Sequence, residues 1–253
     1  MHIANPNRSD KLSFDVPADG ATRAIRPAYF DLSGSVNYRT CLDLLRSGLL
    51  GAHPLATAIK CLTDMILAAM LLVVTAPILA VAMFLIYVGS PGPVIFVQER
   101  IGRGGRPFKL YKLRTMDSGT DHMQQVLMRR QGKKVFIKFD NDPRITSIGR
   151  YLRIFSIDEL PQLINVLRGE MSLIGPRPLE KVEVDRLPHE VRLRRFTVQP
   201  GLSGLWQVSG RSLTTEAKRI QLDLEYVDTW SLWLDLKIML RTIPAVLTGY
   251  GAK

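Results

Sequence analysis

The longest apolar run covers residues 65 to 88, MILAAMLLVVTAPILAVAMFLIYV, and no charge breaks it. A helix of about 20 such residues can cross a bilayer, so a simple span is one reading and a buried soluble hairpin another. Two features favour a third, a helix that enters the membrane, bends and returns. Pro77 lies near the centre, lacks a donor and crowds the preceding turn, which predicts a bend near Ala76. Basic residues flank both ends: Arg39, Arg46 and Lys60 before, then Arg100, Arg103, Arg106, Lys109, Lys112 and Arg114 after. Basic flanks prefer the cytoplasmic side, which predicts that residues 60 and 100 share that side.

The remaining pattern is that of a polar, mixed domain. Residues 89 to 93, GSPGP, stop a helix, and residues 94 to 97 suit a short strand. Gly102, Gly104 and Gly105 form a basic turn that matches no dinucleotide or Walker motif. In residues 156 to 167, SIDELPQLINVL, the apolar positions Leu160, Leu163, Ile164 and Leu167 recur at helical spacing. Ser156 and Glu159 fit a capping box, which starts a helix at Ser156 and places Asp158 in its first turn. Residues 216 to 228 and 230 to 247 also read as helical. Asp235, Lys237 and Arg241 make the last segment a poor membrane span. Trp230 and Trp233 suit a membrane interface, with ordinary core packing as the alternative. Residues 1 to 35 are polar, carry Pro6, Pro17 and Pro27, and read as a flexible leader, with a short helix within 39 to 60.

A length of 253 residues suits one substantial domain. The net charge of +11 favours anionic partners. No zinc-finger or RNA-binding signature accompanies it, so nucleic acid is not expected, whereas anionic membrane lipid and phosphorylated substrates are. Cys41 and Cys61 have no ligand-like company and are read as neither metal site nor disulfide framework.

The acidic pair Asp158–Glu159 has two readings. Acidic residues stabilise helix starts, which explains the pair structurally. The same position suits chemistry: an ionised Asp158 can attack phosphorus, and Glu159 can hold Mg²⁺ together with substrate phosphates. Arg114, Arg144, Arg150, Arg153, Arg168 and Arg177 are candidates to bind phosphate, although basic residues at a membrane also meet lipid.

The ordered motifs GSPGPVIFVQERIG (89–102), FKLYKLRTM (108–116), DPRITSIGRYLR (142–153), SIDELPQLINVLRGEMSLIGPRP (156–178), PGLSGLWQVSGRS (200–212) and WSLWLDLKIMLRTIPAVL (230–247) resemble the bacterial sugar transferases. These are the monotopic polyprenyl-phosphate phosphoglycosyl transferases, and the likeness covers roughly residues 58 to 250. It implies a monotopic membrane protein with a helix-rich α/β catalytic domain, a proline-broken re-entrant membrane helix and interfacial amphipathic helices. The expected organisation is a leader at 1–57, the re-entrant helix and exit turn at 58–93, and a catalytic domain at 94–250 on the cytoplasmic face of the bacterial inner membrane. The resemblance gives Asp158 the nucleophile's role and Glu159 that of Mg²⁺ support. Arg153, five residues before the nucleophile, and Arg177 of G-P-R-P are associated with phosphate.

The implied substrates are a UDP-sugar, UDP-galactose or UDP-glucose in the compact exopolysaccharide-starting members, and undecaprenyl phosphate. The implied products are UMP and a polyprenyl diphosphate sugar. A homodimer stays open. The rival readings are a non-enzymatic basic membrane scaffold and a glycosyltransferase that releases UDP. The chain departs from the family pattern at Ala76, where serine often precedes the bend proline. Thr75 is then expected to bond a freed carbonyl. The connection between 116 and 142 is also short, and residues 1 to 57 hold no series of spans.

Overall fold

The computed structural model describes residues 54–117, 142–211 and 214–249, and elements are numbered in chain order over these. The leader up to residue 53 and most of the connection between 116 and 142 lie outside the described residues. Helix α1, Pro54–Gly89, contains the apolar run and is the one described helix long and apolar enough to cross a membrane. Pro77 lies inside it rather than between two helices. Proline removes one backbone bond, the one the Val73 carbonyl would accept, and a single loss does not end a long helix. The Thr75 hydroxyl donates to Leu71 O (2.7 Å), not to the carbonyl that Pro77 frees.

One stripe of α1 is buried: Asp64, Ala68, Leu79, Ala82 and Ile86, with Leu72 and Thr75 partly so. The intervals are three or four residues, as expected for one helix face. Around the rest of the helix Val73, Val74, Phe84 and Tyr87 are exposed. Ala68 packs with Leu110, Leu163 and Ile174, while Leu79, Ala82 and Ile86 pack with Leu113 and Leu152. Both halves of α1 therefore lie against the same domain.

That domain begins with an antiparallel hairpin, β1 (Ile95–Ile101) and β2 (Pro107–Leu113), in register from Ile95–Leu113 to Ile101–Pro107. A one-turn 3-10 helix, Arg103–Gly105, joins them. Helix α2, Ser147–Ile154, is capped by the Thr146 hydroxyl. A 3-10 segment, Ile157–Gln162, leads into α3, Leu163–Leu167. Then β3, Ser172–Ile174, pairs in parallel with β4, Gly201–Ser203, across a crossover holding α4 (Lys181–Arg186) and α5 (His189–Arg195). The chain closes with α6 (Leu205–Val208), α7 (Glu216–Thr229) and α8 (Leu232–Leu247). At Gly201 a Cβ would sit 2.1 Å from Gly175 N, so glycine permits the approach that fixes the loop after β3.

Asp235 and Trp230 are engaged within the fold. Asp235 does not face water: it accepts from Lys60 (2.6 Å), Tyr226 (2.7 Å) and Trp230 Nε1 (3.1 Å). Trp230 is thus partly buried against the core, and the packing alternative holds for it, whereas Trp233 is exposed. Burying a carboxylate requires such partners, and here they join α1, α7 and α8. Cys61 is disulfide-bonded, against the reading of no disulfide framework.

Among the described residues, three of the basic residues that flank the apolar run form ion pairs within the protein. Lys60 pairs with Asp235 and Asp64, Arg100 with Glu180 and Glu183, and Lys112 with Glu159. The packing of both halves of α1 against one domain, rather than loose flanking charge, bears on how the helix meets the membrane.

Candidate active site

The Asp158–Glu159 turn follows an unusual backbone step. Ser156 has φ 55° and ψ 23°, a left-handed conformation that non-glycine residues seldom adopt. The chain then enters the 3-10 segment with Asp158 and Glu159 in its first turn. The expected capping box does not form. Ser156 Oγ instead accepts from Arg211 Nη2 (2.8 Å), and the Glu159 carboxylate is drawn to two cations. A capping box forms at Glu180 and Glu183, at the start of α4.

Glu159 Oε1 lies 2.7 Å from Lys112 Nζ and 3.2 Å from Arg177 Nη1. Lys112 projects from β2, and Arg177 from the loop after β3. Arg195, paired with buried Asp223, donates to the carbonyl of Arg177 and steadies that loop. Arg153, on α2, donates to Thr115 Oγ1 (2.9 Å), and its charge acts on Asp158.

The two carboxylates have opposite electrostatics. Asp158 is 7% exposed and forms no ion pair among the described residues. Burial first, then the neighbouring Glu159 charge, pushes its pKa up from 3.8 to about 6, against Lys112, Arg153 and Arg177. For Glu159, burial would raise the pKa, but Lys112 and Arg177 together override it and hold the carboxyl well below the usual range. The helix start therefore does not dominate at Asp158. Its ionised form is present at neutral pH but less favoured than in water.

The stability signs are opposite too. A raised pKa at Asp158 favours the fold fully below 3.8, and that contribution is lost as pH rises through about 6. The depressed pKa at Glu159 favours the fold above 4.5 and is lost on acidification below it.

The other candidate arginines form contacts with groups other than the acidic pair. Arg114 donates to Ser90 O, Pro91 O and Ser90 Oγ, so it fastens the exit of α1. Free carbonyls at a helix end attract a cation. Arg144 makes a two-pronged pair with Asp142 (2.6 and 2.9 Å). Neither is brought to the acidic pair by these contacts. Arg150 is exposed, and Arg168 stacks 5.0 Å from the Tyr111 ring centroid.

Sequence reasoning placed Lys112 only in a basic flank. Its signal was a lysine between Tyr111 and buried Leu113 in a strand. Arg211 lies within the motif at 200–212, to which the sequence attached no role for it.

Among the described residues no group of three or more His, Cys, Asp or Glu could enclose a metal. Mg²⁺ does not need one: it keeps several waters and binds through one or two carboxylates plus substrate phosphates. Glu159 fits that requirement. It is ionised, and both cations bond Oε1, leaving Oε2 without a hydrogen bond among the described residues.

Residues 55–249 match the family model described as "Bacterial sugar transferase". The chain belongs to the bacterial sugar transferase family. It is 46% identical over 202 residues to the UDP-glucose:undecaprenyl-phosphate glucose-1-phosphate transferase of Caulobacter vibrioides, covering 76% of this chain and 71% of that protein. It is 45% identical over 164 residues to Galactosyl transferase CpsE of Streptococcus agalactiae, covering 64% and 36%. With Exopolysaccharide production protein ExoY of Rhizobium meliloti it shares 38% over 205 residues, covering 79% and 90%. The chain thus spans about a third of one relative's length and most of the other two. Membership places the chain among transferases, and the exposed apolar surface of α1 makes this one membrane-associated.

Proposed function

We propose that this protein transfers a sugar-1-phosphate from a UDP-sugar to undecaprenyl phosphate, through a covalent phosphosugar on Asp158. The observation that carries the reading is the asymmetric acidic pair: one buried carboxylate without an ion-pair partner among the described residues, beside one neutralised by Lys112 and Arg177. An Asp158 oxygen attacks the phosphorus next to the sugar. Its bond to the bridging oxygen breaks, and UMP departs with that electron pair. An oxygen of the lipid phosphate then attacks the same phosphorus, which releases the Asp158 carboxylate and leaves a diphosphate-linked sugar on the lipid. Arg153, Lys112 and Arg177 bind and orient the phosphoryl oxygens as their charge shifts. Glu159 Oε2 would hold Mg²⁺, which supplies charge neutralisation of the diphosphate when bound. The relatives' names include glucose, galactose and N-acetylgalactosamine.

The test is to incubate the protein with Mg²⁺, several UDP-sugars and undecaprenyl phosphate, then identify the products. UMP and a lipid diphosphate sugar are expected; UDP and a lipid monophosphate sugar would replace this reading with glycosyl transfer. Run as a single turnover without lipid, UMP release should be constant at neutral pH. It should fall about tenfold per unit below an apparent pKa of about 6, as Asp158 takes a proton. A rate independent of pH between 5 and 7 contradicts an Asp158 nucleophile with this pKa.

We further propose that α1 is re-entrant and that the catalytic domain rests on the cytoplasmic face of the inner membrane, against anionic lipid. The support is the buried stripe from Asp64 to Ile86, about 33 Å of helix at about 1.5 Å per residue. A straight span would drag the packed domain through a hydrocarbon core of about 30 Å. On α8, exposed Trp233, Leu236, Leu240, Ile243 and Leu247 form an apolar stripe suited to lying in the interface. Cysteines at the exposed positions Leu55 and Lys109 should both resist an impermeant label applied to intact cells and both react after lysis. Labelling of one alone from outside contradicts the re-entrant placement.

A further inference from the structure

Among the described residues only two non-glycine residues have a positive φ: Ser156 (55°) and Arg211 (50°). They stand 55 positions apart in the chain, yet Arg211 Nη2 bonds Ser156 Oγ at 2.8 Å. Each such backbone costs on the order of 1–3 kcal/mol and persists only where its surroundings hold it. The Arg211 turn is held by Thr214, whose hydroxyl donates to Arg211 O (2.6 Å) and accepts from Arg219 Nε (3.2 Å). The second arm of Arg211 reaches further: Nη1 donates to Ala245 O (3.0 Å). Ala245 lies in the last turn of α8, where carbonyls lack helical partners. Pro244 O and Val246 O are met by backbone N–H groups of Thr248 and Gly249, and α8 has no basic residue of its own in that turn. Arg211 supplies the missing cation.

We propose that Arg211 is a positioning residue for the transfer reaction: it braces the left-handed Ser156 step, and so the direction of Asp158, against the C-terminal end of α8. This rests on the reading of Asp158 as nucleophile. A guanidinium suits the task because its fork reaches two acceptors in fixed directions, which a lysine ammonium does not reproduce. The brace connects the reactive turn to the helix that carries the exposed stripe from Trp233 to Leu247. The orientation of Asp158 is thereby tied to the seating of α8.

The experiment uses the full chain and measures UMP release, kcat and the KM for UDP-sugar in Ser156→Gly, Arg211→Lys and the double variant. Glycine adopts the left-handed step without strain and removes the hydroxymethyl side chain that accepts from Arg211. Lysine keeps the charge and removes the fork. Each single variant should lower kcat by about tenfold, the scale of one lost orienting hydrogen bond, with KM for UDP-sugar within about twofold. The double variant should be no slower than the slower single one, because both changes break one contact. Ser156→Gly at the wild-type kcat overturns the brace. So does a double variant whose losses multiply, or an Arg211→Lys effect confined to KM, which would make Arg211 a substrate ligand. If Arg211→Lys melts early, Ser156→Gly still decides, since it leaves the Arg211–Ala245 bond intact. Asp158→Asn in the same assay separates the outcomes: residual full activity there defeats the nucleophile, whereas an inactive Asp158→Asn beside a fully active Ser156→Gly defeats the brace alone.

Discussion

Asp158→Asn should lower turnover by on the order of 10⁴-fold or more, the scale seen when a covalent catalytic group is removed, while the protein stays folded. The substitution keeps size and loses the negative nucleophile. It also removes a charge that the fold disfavours, since burial and Glu159 together raise the Asp158 pKa. The melting temperature at neutral pH should therefore be unchanged or higher, in keeping with the strain that active sites carry. Thermal unfolding in detergent and UMP release on the same preparation check both halves, with mass analysis to exclude deamidation back to aspartate. A merely structural Asp158 would give the reverse pattern, near-normal turnover with altered stability.

Glu159→Gln should cost about 10²–10³-fold in turnover, as loss of a preorganised charge does, and should shift the Mg²⁺ dependence to higher concentration. It differs from the first variant in also harming the fold. Lys112 and Glu159 are both mostly buried, with side chains 15% and 17% exposed, and removing one member strands the other. The expected loss of stability is up to about 3 kcal/mol. Adding Lys112→Met to Glu159→Gln should return much of that stability without restoring turnover. Recovery of turnover in the double variant would assign Glu159 a purely structural part. Unchanged Mg²⁺ dependence in the single variant would remove it from any metal site.

The parts of this protein governed by local pattern were legible in the sequence. The apolar run, the breakers after it and the two C-terminal helices follow from composition and spacing, and the structure places α1, α7 and α8 accordingly. The errors arose where a residue's partner lies far along the chain. Ser156 and Glu159 satisfy a local capping pattern, but Arg211 takes the hydroxyl and Lys112 and Arg177 take the carboxylate. Those long-range bonds turn the expected α-helical start into a left-handed step and a 3-10 segment. The arginine type of Arg114 is visible in the sequence, but its bonds to Ser90 and Pro91 at the exit of α1 are not. Asp235 looked like an interruption on a surface helix, whereas Lys60, Tyr226 and Trp230 make it a buried junction. Lys112 escaped assignment for the same reason, since its partner is 47 positions away.

Opposite pKa shifts on adjacent carboxylates are the physical core of the account. A neutralised Glu159 lets Asp158 ionise beside it, and burial keeps Asp158 basic enough to attack. The most direct test is rapid-quench mass spectrometry of wild-type protein mixed with UDP-sugar and Mg²⁺ in the absence of lipid. The account predicts a burst of UMP matched by a hexose-phosphate increment on the peptide containing Asp158, which undecaprenyl phosphate then discharges. An increment on a peptide lacking Asp158, or no UMP burst from a preparation that turns over once lipid is added, would contradict it.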